Sequence, residues 1–267
     1  MGGLRMKKND VRCENCLDTM ALMPDNFVDL VVTSPPYDSI REYEGHTLSD
    51  FEKIASELFR IVKRGGVVVW VVGDQTINGN ETGTSFRQAL YFKEIGFNLF
   101  DTMIYLKMPR GGIGSNKTYW EQFEYMFVFS KGLPKTINLL RDRKNKESRP
   151  PDKGSKRNKK GNLYPANRSG YGEYGRRTNV WEYKTGKSHS AIDNLAYQHP
   201  AIFPESLAQD HILSWSNKED IVYDPFLGSG TVALMAKLNG RHYIASEINP
   251  TYCEIAKERI RLNTLAF

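Results

Sequence analysis

Several features that would assign the 267-residue chain to a familiar class are scarce or missing. No apolar run approaches the roughly 20 residues needed to cross a bilayer, so we expect no membrane-spanning segment and no membrane partner. The five histidines are scattered without ligand spacing, and neither Ser-x-x-Lys nor Gly-x-Ser-x-Gly occurs. These absences argue against a metal centre and against hydrolysis by an activated serine. The first residues carry no apolar signal core, which predicts a cytoplasmic protein with reduced thiols.

Cysteine is also rare, with three residues in all. Cys13 and Cys16 form one Cys-x-x-Cys pair, and Cys253 lies near the other end of the chain. No second pair and no neighbouring pair of histidines completes four zinc ligands. We therefore expect no metal, and we expect these cysteines to be buried or half-buried structural thiols.

The charge of the chain is unevenly distributed. Residues 131 to 187 contain 17 Lys and Arg against 5 Asp and Glu, a net charge of +12, whereas the rest of the chain carries −6. A basic segment on an acidic body suggests a polyanionic partner, with nucleic acid as the first candidate. The alternative is a solvated, partly disordered loop.

Outside this segment, the hydrophobic pattern alternates between continuous apolar runs and amphipathic stretches with helical periodicity. Runs that are apolar throughout suit strands covered on both faces, so the pattern predicts an α/β fold with a mostly parallel sheet and helices on both faces. The predicted strands are Val28 to Thr33, Val67 to Val72, Phe100 to Leu106, Tyr125 to Ser130, Ile221 to Tyr223 and Tyr243 to Ser246. The predicted helices are Ser49 to Arg64, Thr84 to Ile95, Pro204 to Ser216, Thr231 to Leu238, and a last helix that starts at Asn249 and Pro250.

Two details refine these predictions. Ser49 and Glu52 fit a capping box, and Gly65 with Gly66 is expected to end the helix that they begin. From about Leu133 to Gly186 no sustained period is present, which predicts an irregular segment that is partly mobile without its partner.

The stretch IVYDPFLGSGTVALMAKLNGRHYIASEIN reads as a strand, a glycine turn, a helix and a second strand that ends in an acid. Gly228 and Gly230 allow backbone N–H groups to approach a ligand, and Glu247, 17 to 19 residues later, can accept hydrogen bonds from ribose hydroxyls. The third glycine of the dinucleotide fingerprint and the Walker lysine are both absent. Asp224 and Glu247, at the ends of the two strands, favour a nucleoside-binding half-fold over a purely structural turn.

DPFLGSGT followed by Glu247 resembles motifs I and II of the S-adenosylmethionine-dependent DNA amino-methyltransferases. TSPPY, at residues 33 to 37, resembles their catalytic motif IV, and HPAIFPESL, at residues 199 to 207, resembles motif X. The order of catalytic motif, basic region, motif X and motif I is typical of the permuted β-group. The resemblance implies a circularly permuted, Rossmann-like class I methyltransferase fold. It divides the chain into a catalytic half (1–132), a basic target-recognition region (133–198) and a cofactor-binding half (199–267).

The resemblance also implies a set of site residues. Cofactor-binding positions would be Phe203, Asp224, Phe226, Gly228, Ser229, Gly230, Thr231 and Glu247. Catalytic positions would be Ser34, Pro35, Pro36 and Tyr37. Relatives often carry an acid in Asp-Cys-Leu before the catalytic strand, whereas this chain has Asn15-Cys16-Leu17, which puts a contact from that position in doubt.

The residues after the strand Val28 to Thr33 fit one chemical problem. The lone pair of an exocyclic amine is delocalised into its base, so acceptors aimed at its N–H groups are needed to localise it. The Ser34 side chain and the Pro35 carbonyl can be those acceptors, the prolines stiffen the backbone, and Tyr37 can stack on an extruded base. Transfer would then be a direct in-line displacement on a flipped nucleotide. Taken alone, Pro-Pro-Tyr could also be a simple turn.

The basic segment would bind double-stranded DNA through phosphate contacts and base edges. The candidate DNA-binding residues are Arg141, Arg143, Lys144, Lys156, Arg157, Lys159, Lys160, Arg168, Arg176 and Arg177. A cognate restriction endonuclease and a homodimer are further partners that the resemblance implies.

The target base and the substrate class leave alternatives. In relatives a serine at the first motif position accompanies cytosine N4 and an Asp or Asn accompanies adenine N6, so we expect N4-cytosine methylation, with N6-adenine as the alternative. No cysteine follows a proline, which argues against covalent attack on cytosine C5. Other possibilities are methylation of RNA or of a protein glutamine, and a non-catalytic DNA-binding regulator that retains a nucleoside pocket.

Overall fold

A computed structural model of the chain describes residues 6–36, 50–108 and 119–263, with the side chain of Arg168 excepted. The strands in these ranges are β1 (Asp10–Arg12), β2 (Val28–Thr33), β3 (Val62–Val72), β4 (Thr76–Ile77), β5 (Asn80–Glu81), β6 (Asn98–Met108), β7 (Phe123–Ser130), β8 (Arg143–Lys144), β9 (Asp152–Arg157), β10 (Leu163–Arg168), β11 (Tyr174–Gly175), β12 (Val180–Lys184), β13 (Ile221–Asp224) and β14 (His242–Ser246). The α-helices are α1 (Cys16–Ala21), α2 (Phe51–Ile61), α3 (Thr84–Glu94), α4 (Glu205–Trp215), α5 (Thr231–Leu238) and α6 (Pro250–Leu262). None of these helices is long and apolar enough to cross a membrane.

Among the described residues, the central sheet has eight strands in the order β1-β14-β13-β2-β3-β7-β6-β12. All of them run parallel except β7, which is antiparallel to both β3 and β6. Crossovers through helices are needed to join parallel strands, which is why the apolar runs alternate with helices along the chain. The predicted Rossmann-like α/β fold is confirmed.

Two strands from opposite ends of the chain are neighbours in this sheet. In the pairing of β13 with β2, Val222 lies opposite Leu30 and Tyr223 lies opposite Val31. The two strands run parallel. The carboxyl ends of β2 and β13 therefore meet at the same edge of the sheet.

The core beside β3 is aromatic. Trp70 is completely buried and makes an edge contact with Phe92 of α3, and Phe92 stacks on Phe129 of β7 at a centroid distance of 4.6 Å. Leu58 and Ile61 present the apolar face of α2 to the same core. Burying each such side chain contributes roughly 1.5–3 kcal/mol to stability. This packing therefore gives the carboxyl ends of β2 and β3 a rigid support.

Helix α2 ends three residues before the predicted position. The backbone of Val62 is already extended, and Gly65 and Gly66 lie inside β3. Gly65 has a φ of +83° and exchanges backbone hydrogen bonds with Lys131 and Lys135, so the glycine permits a close chain crossing there and does not cap a helix. Ser49 of the predicted capping box lies outside the described residues.

Residues Leu139–Thr178 form a separate compact unit. Within it β8 pairs with β11 and β9 pairs with β10, both antiparallel. A little further along, Val180 begins β12, which joins the central sheet beside β6. The prediction of an irregular segment up to Gly186 was wrong. The strands β8 to β11 have polar residues on both faces and so carry no apolar alternation for sequence analysis to detect, whereas β12 buries Trp181 and Tyr183 on one face and was missed.

The cysteines also differ from expectation. Cys13, just after β1, forms a disulfide with Cys253 of α6, and only Cys16 is a buried free thiol among the described cysteines. Because β1 pairs with β14, and α6 follows β14, the two Cα atoms lie 5.8 Å apart across 240 residues of sequence. The prediction that Cys13 and Cys253 are thiols was therefore wrong.

Candidate active site

A cavity of about 970 Å³ opens at the carboxyl edge of β2, β13 and β14. This volume is at the upper end of the range for small-molecule sites. Its wall brings together most of the site residues predicted from the sequence. Those that line it are Ser34, Pro35, Pro36, Phe203, Asp224, Phe226, Gly228, Ser229, Thr231 and Glu247.

A buried hydrogen bond joins the two halves of this wall. The Thr33 hydroxyl, at the end of β2, donates to Asp224 Oδ1, at the end of β13, over 2.7 Å. The same carboxylate oxygen accepts the backbone N–H of Phe226 at 3.1 Å. Burial raises the pKa of Asp224 to about 7, and these two hydrogen bonds partly oppose that rise. Thr33 thus ties the residue before Ser34 to the start of the glycine turn.

The glycine turn is fixed by the acid that ends β14. Glu247 accepts the backbone N–H of Gly228 at 2.8 Å through Oε2 and that of Asn249 at 2.9 Å through Oε1. An ionised carboxylate has about four acceptor sites, so both oxygens can also accept from a ligand. Phe226 lines the cavity and also contacts Trp70 in the core, which connects the cavity wall to rigid packing.

His199 has a place that the sequence analysis did not foresee. It opens the stretch that resembles motif X but was not among the predicted site residues, yet it lines the cavity and packs edge-on against Tyr252 at a centroid distance of 4.4 Å. A Cβ at Gly228, whose φ is +51°, would lie 3.1 Å from His199 Nε2. The sequence did offer one signal for this role, because His199 lies four residues before Phe203, which was a predicted site residue.

Gly230 is not among the described residues that line the cavity. Its φ is +88°, and a Cβ there would lie 3.0 Å from the Cβ of Ala256. The second glycine of the turn therefore allows α5 to start close against α6, while Gly228 is the glycine that faces the cavity.

Aromatic and charged side chains that the sequence analysis did not single out also line the cavity. Trp120 lies there, 62% exposed, together with Tyr105 and the ion pair between Lys107 and Glu124, whose atoms are 2.5 Å apart. Burial raises the pKa of Tyr105. The aromatic spacing of the segment before and within β7 was a possible signal, but it also fits core packing.

Two remaining sequence predictions can be located. Asn15 lines the cavity and caps α1, because its side chain accepts the backbone N–H of Leu17 at 2.9 Å. Tyr37, the aromatic residue of the predicted catalytic motif, lies outside the described residues.

The predicted DNA-binding residues all fall within the unit Leu139–Thr178. Most of them are exposed: Arg141, Arg143, Lys144, Lys156, Arg157, Lys159, Lys160 and Arg176. Arg177 is half-buried and makes a fork of hydrogen bonds to Asp142. The side chain of Arg168 is not described. Lys159 and Lys160 lie in the turn between β9 and β10, at the tip of a basic hairpin.

One reversed strand in a parallel sheet, together with a glycine turn and a strand-end acid beside a deep cavity, defines a Rossmann-like methyltransferase of class I. Comparison with known proteins agrees. The family model for N6 and N4 methyltransferases, described as DNA methylase, matches residues 28–258. The orphan methyltransferase M.BamHII of Bacillus amyloliquefaciens is 56% identical over 247 residues, which cover 89% of this chain and 90% of that protein. The chain belongs to this DNA methylase family and is a DNA methyltransferase.

Solved structures share the fold. The PvuII DNA methyltransferase, described as cytosine-N4-specific, superposes with a TM-score of 0.70 and 18% identity, covering 95% of this chain and 86% of its own. A putative DNA modification methylase from Thermus thermophilus, complexed with S-adenosyl-L-methionine, has a TM-score of 0.62 and 22% identity, covering 96% of each chain.

Proposed function

We propose that this chain transfers a methyl group from S-adenosylmethionine to the exocyclic N4 of a flipped cytosine in double-stranded DNA, as a member of the permuted β-group. The observation that supports this most directly is the cavity shared by Ser34 to Pro36 and the turn from Asp224 to Thr231. Two reactants must lie within contact distance for in-line transfer, and the Thr33–Asp224 hydrogen bond holds these two walls together.

The residues of the cavity fit the proposed cofactor. Gly228 leaves backbone space where a Cβ would crowd His199, and Glu247 offers carboxylate oxygens of the kind that bind ribose hydroxyls. Phe203 and Phe226 both contribute apolar surface to the cavity wall. When bound, S-adenosylmethionine supplies an electrophilic methyl group on its sulfonium. Phe203, Asp224, Phe226, Gly228, Ser229, Thr231 and Glu247 would hold it.

The catalytic residues act on the amine of the base. Pro35 is buried and Ser34 is half-buried, so the acceptors that they present are held on a stiff segment at the cavity wall. The Ser34 hydroxyl and the Pro35 carbonyl accept the two N–H groups and localise the lone pair of the nitrogen toward the methyl group. In this proposal Tyr37 stacks on the base, which must leave the duplex to reach the cavity.

The unit Leu139–Thr178 is the proposed DNA-binding surface within the target-recognition region, residues 133–198. It contains 13 Lys and Arg against 4 Asp and Glu, a net charge of +9. Binding should therefore weaken steeply with salt, because each phosphate contact releases counterions. A nearly flat plot of log affinity against log salt would contradict this assignment. We propose a cytoplasmic location because the proposed substrate is DNA. A cognate restriction endonuclease and a homodimer remain predictions.

The deciding experiment is methyl transfer to mixed-sequence duplex DNA, followed by nucleoside digestion and mass analysis. N4-methylcytosine is the expected product, and the description of the PvuII relative supports that choice. N6-methyladenine would assign the alternative base. Cofactor binding without transfer to any DNA would favour the regulator, and transfer to RNA or protein alone would refute a DNA substrate.

Ser34→Ala tests the catalytic assignment. It should remove most turnover, by about 10²-fold or more, because one preorganised acceptor is lost, while cofactor affinity changes little. Ser56→Ala is the matched control, since Ser56 is exposed on α2 and its hydroxyl bonds only locally to the Glu52 carbonyl among the contacts described. Equal loss of turnover in both variants, or loss of cofactor binding in Ser34→Ala, would contradict the role.

A further inference from the structure

Arg259 of α6 is a fully buried cation that lies behind the cavity. Its side chain has 0% exposure, and it is not among the described residues that line the cavity. Its guanidinium donates to four residues, three of which belong to segments at the cavity wall. Nη1 reaches the Ser229 carbonyl at 3.0 Å and the Thr231 hydroxyl at 2.8 Å, while Nη2 reaches a Glu205 carboxylate oxygen at 2.5 Å.

These partners belong to two different walls of the cavity. Ser229 and Thr231 are in the glycine turn, whereas Glu205 directly follows the wall residues Phe203 and Pro204. Nothing in the local sequence links the two walls, which lie more than 20 residues apart. The guanidinium joins them through one rigid planar group.

Two carboxylates hold the guanidinium of Arg259 in position. Its Nε also donates to Asp193 at 2.6 Å, so one buried cation faces two carboxylates. Glu205 in turn accepts the backbone N–H of Ile192 at 3.2 Å. A buried ion cluster of this kind is tolerated only when its hydrogen bonds are satisfied, and removing one member leaves uncompensated buried charge.

We propose that Arg259 is the positioning residue of the cofactor pocket, holding the turn at residues 228–231 at a fixed spacing from the wall at residues 203–205. This role rests on the proposed function. Arg259 touches neither the cavity nor the reacting atoms, so its effect passes through the backbone of Ser229 and the side chain of Thr231. Lysine cannot replace it, because a single ammonium cannot span the turn and both carboxylates with the geometry of a planar fork.

The test is Arg259→Lys, with Arg261→Met as the matched control. Arg261 lies on the same helix, is exposed, and pairs with Glu258 at 2.7 Å. Cofactor affinity is measured by calorimetry on the DNA-free protein, and KM for each substrate and kcat are measured separately. Arg259→Lys should weaken cofactor binding and raise the cofactor KM by about tenfold or more, the effect of losing a buried charged hydrogen bond. KM for DNA and kcat at saturating cofactor should change by less than about threefold, and the control should change nothing.

A purely structural role would give a different result. If Arg259→Lys lowers the folded fraction and reduces every parameter in proportion, or leaves cofactor affinity within about twofold, the proposal is overturned. Should that variant fail to fold, Glu205→Gln decides. It keeps an acceptor and removes one buried charge, and it should shift cofactor affinity in the same direction with DNA KM unchanged. An unaltered cofactor affinity in folded Glu205→Gln would overturn the proposal. If the wild-type chain binds the cofactor but transfers no methyl group, the proposed function fails while the calorimetric test of Arg259 still stands.

Discussion

Replacing Thr33 with valine removes one hydroxyl at the carboxyl edge of the sheet and nearly keeps the shape of the side chain. The hydroxyl donates to Asp224 at 2.7 Å, and both residues are buried. A hydrogen bond to a charged group contributes about 1.5–3 kcal/mol to stability, and one between neutral groups about 0.5–1.5 kcal/mol. Because the pKa of Asp224 is raised to about 7, its carboxyl is ionised well above that pH and protonated well below it. The loss of unfolding free energy should therefore be about 2 kcal/mol near pH 8.5 and about 1 kcal/mol near pH 5.5.

The assay is urea unfolding at both pH values, followed by fluorescence. Thr33→Ser is the matched control: it keeps the hydroxyl and loses a methyl group, which should cost about 1 kcal/mol at both pH values. Loss of the hydroxyl should also raise the pKa of Asp224 further, since this hydrogen bond favours the ionised form. Equal destabilisation by Thr33→Val at the two pH values would refute an ionised partner, and no destabilisation at either would refute the hydrogen bond itself.

Three further predictions concern stability. Between pH 3.8 and about 7 the folded protein binds more protons at Asp224 than the unfolded chain does, so the contribution of Asp224 to stability falls as the pH rises through that window. Asp224→Asn should therefore flatten the slope of unfolding free energy against pH. An unchanged slope would contradict the raised pKa. Gly230→Ala should lower stability by more than about 1 kcal/mol in thermal scans, because φ is +88° and the new Cβ would meet Ala256. Adding Ala256→Gly to that variant should restore only the stability lost to the steric clash. Full recovery would show that the backbone at residue 230 is unstrained. Cys13→Ser should lower the free energy of unfolding by about 2–4 kcal/mol in oxidising buffer, because it removes the disulfide to Cys253. In reducing buffer the variant and the wild type should be equally stable. A wild type whose stability does not change with reductant would disprove the disulfide.

Some elements were predictable because their signals are local. The apolar run of β2 and the helix α5 between a glycine and an asparagine were placed with the bounds that the structure shows. The last helix was predicted to start at Asn249 and Pro250, and Asn249 is its N-cap, since its side chain accepts the backbone N–H groups of Thr251 and Tyr252. In each case the sequence pattern that predicts the element involves residues only a few positions apart.

Other features depended on distant parts of the chain. Gly65 looked like a helix end, but its role comes from backbone contacts with Lys131 and Lys135, which no pattern around residue 65 reveals. The strands β8 to β11 have polar residues on both faces and so lack the periodicity that marks a half-buried strand. His199 looked unremarkable in sequence, and it became a cavity residue because Gly228 and Tyr252 fold against it.

The sequence by itself determined six of the eight central strands with helices α2 to α6, the glycine turn with its acid, and the motif order that resembles the amino-methyltransferases, since these are encoded in short runs of residues. The tertiary structure alone decided which side chains meet. Thr33 and Asp224 are 191 residues apart, and Arg259 joins two cavity walls from a helix that no motif marked. Such contacts follow from which strands pair and which helices pack, and that is settled by the free energy of burying the whole core together.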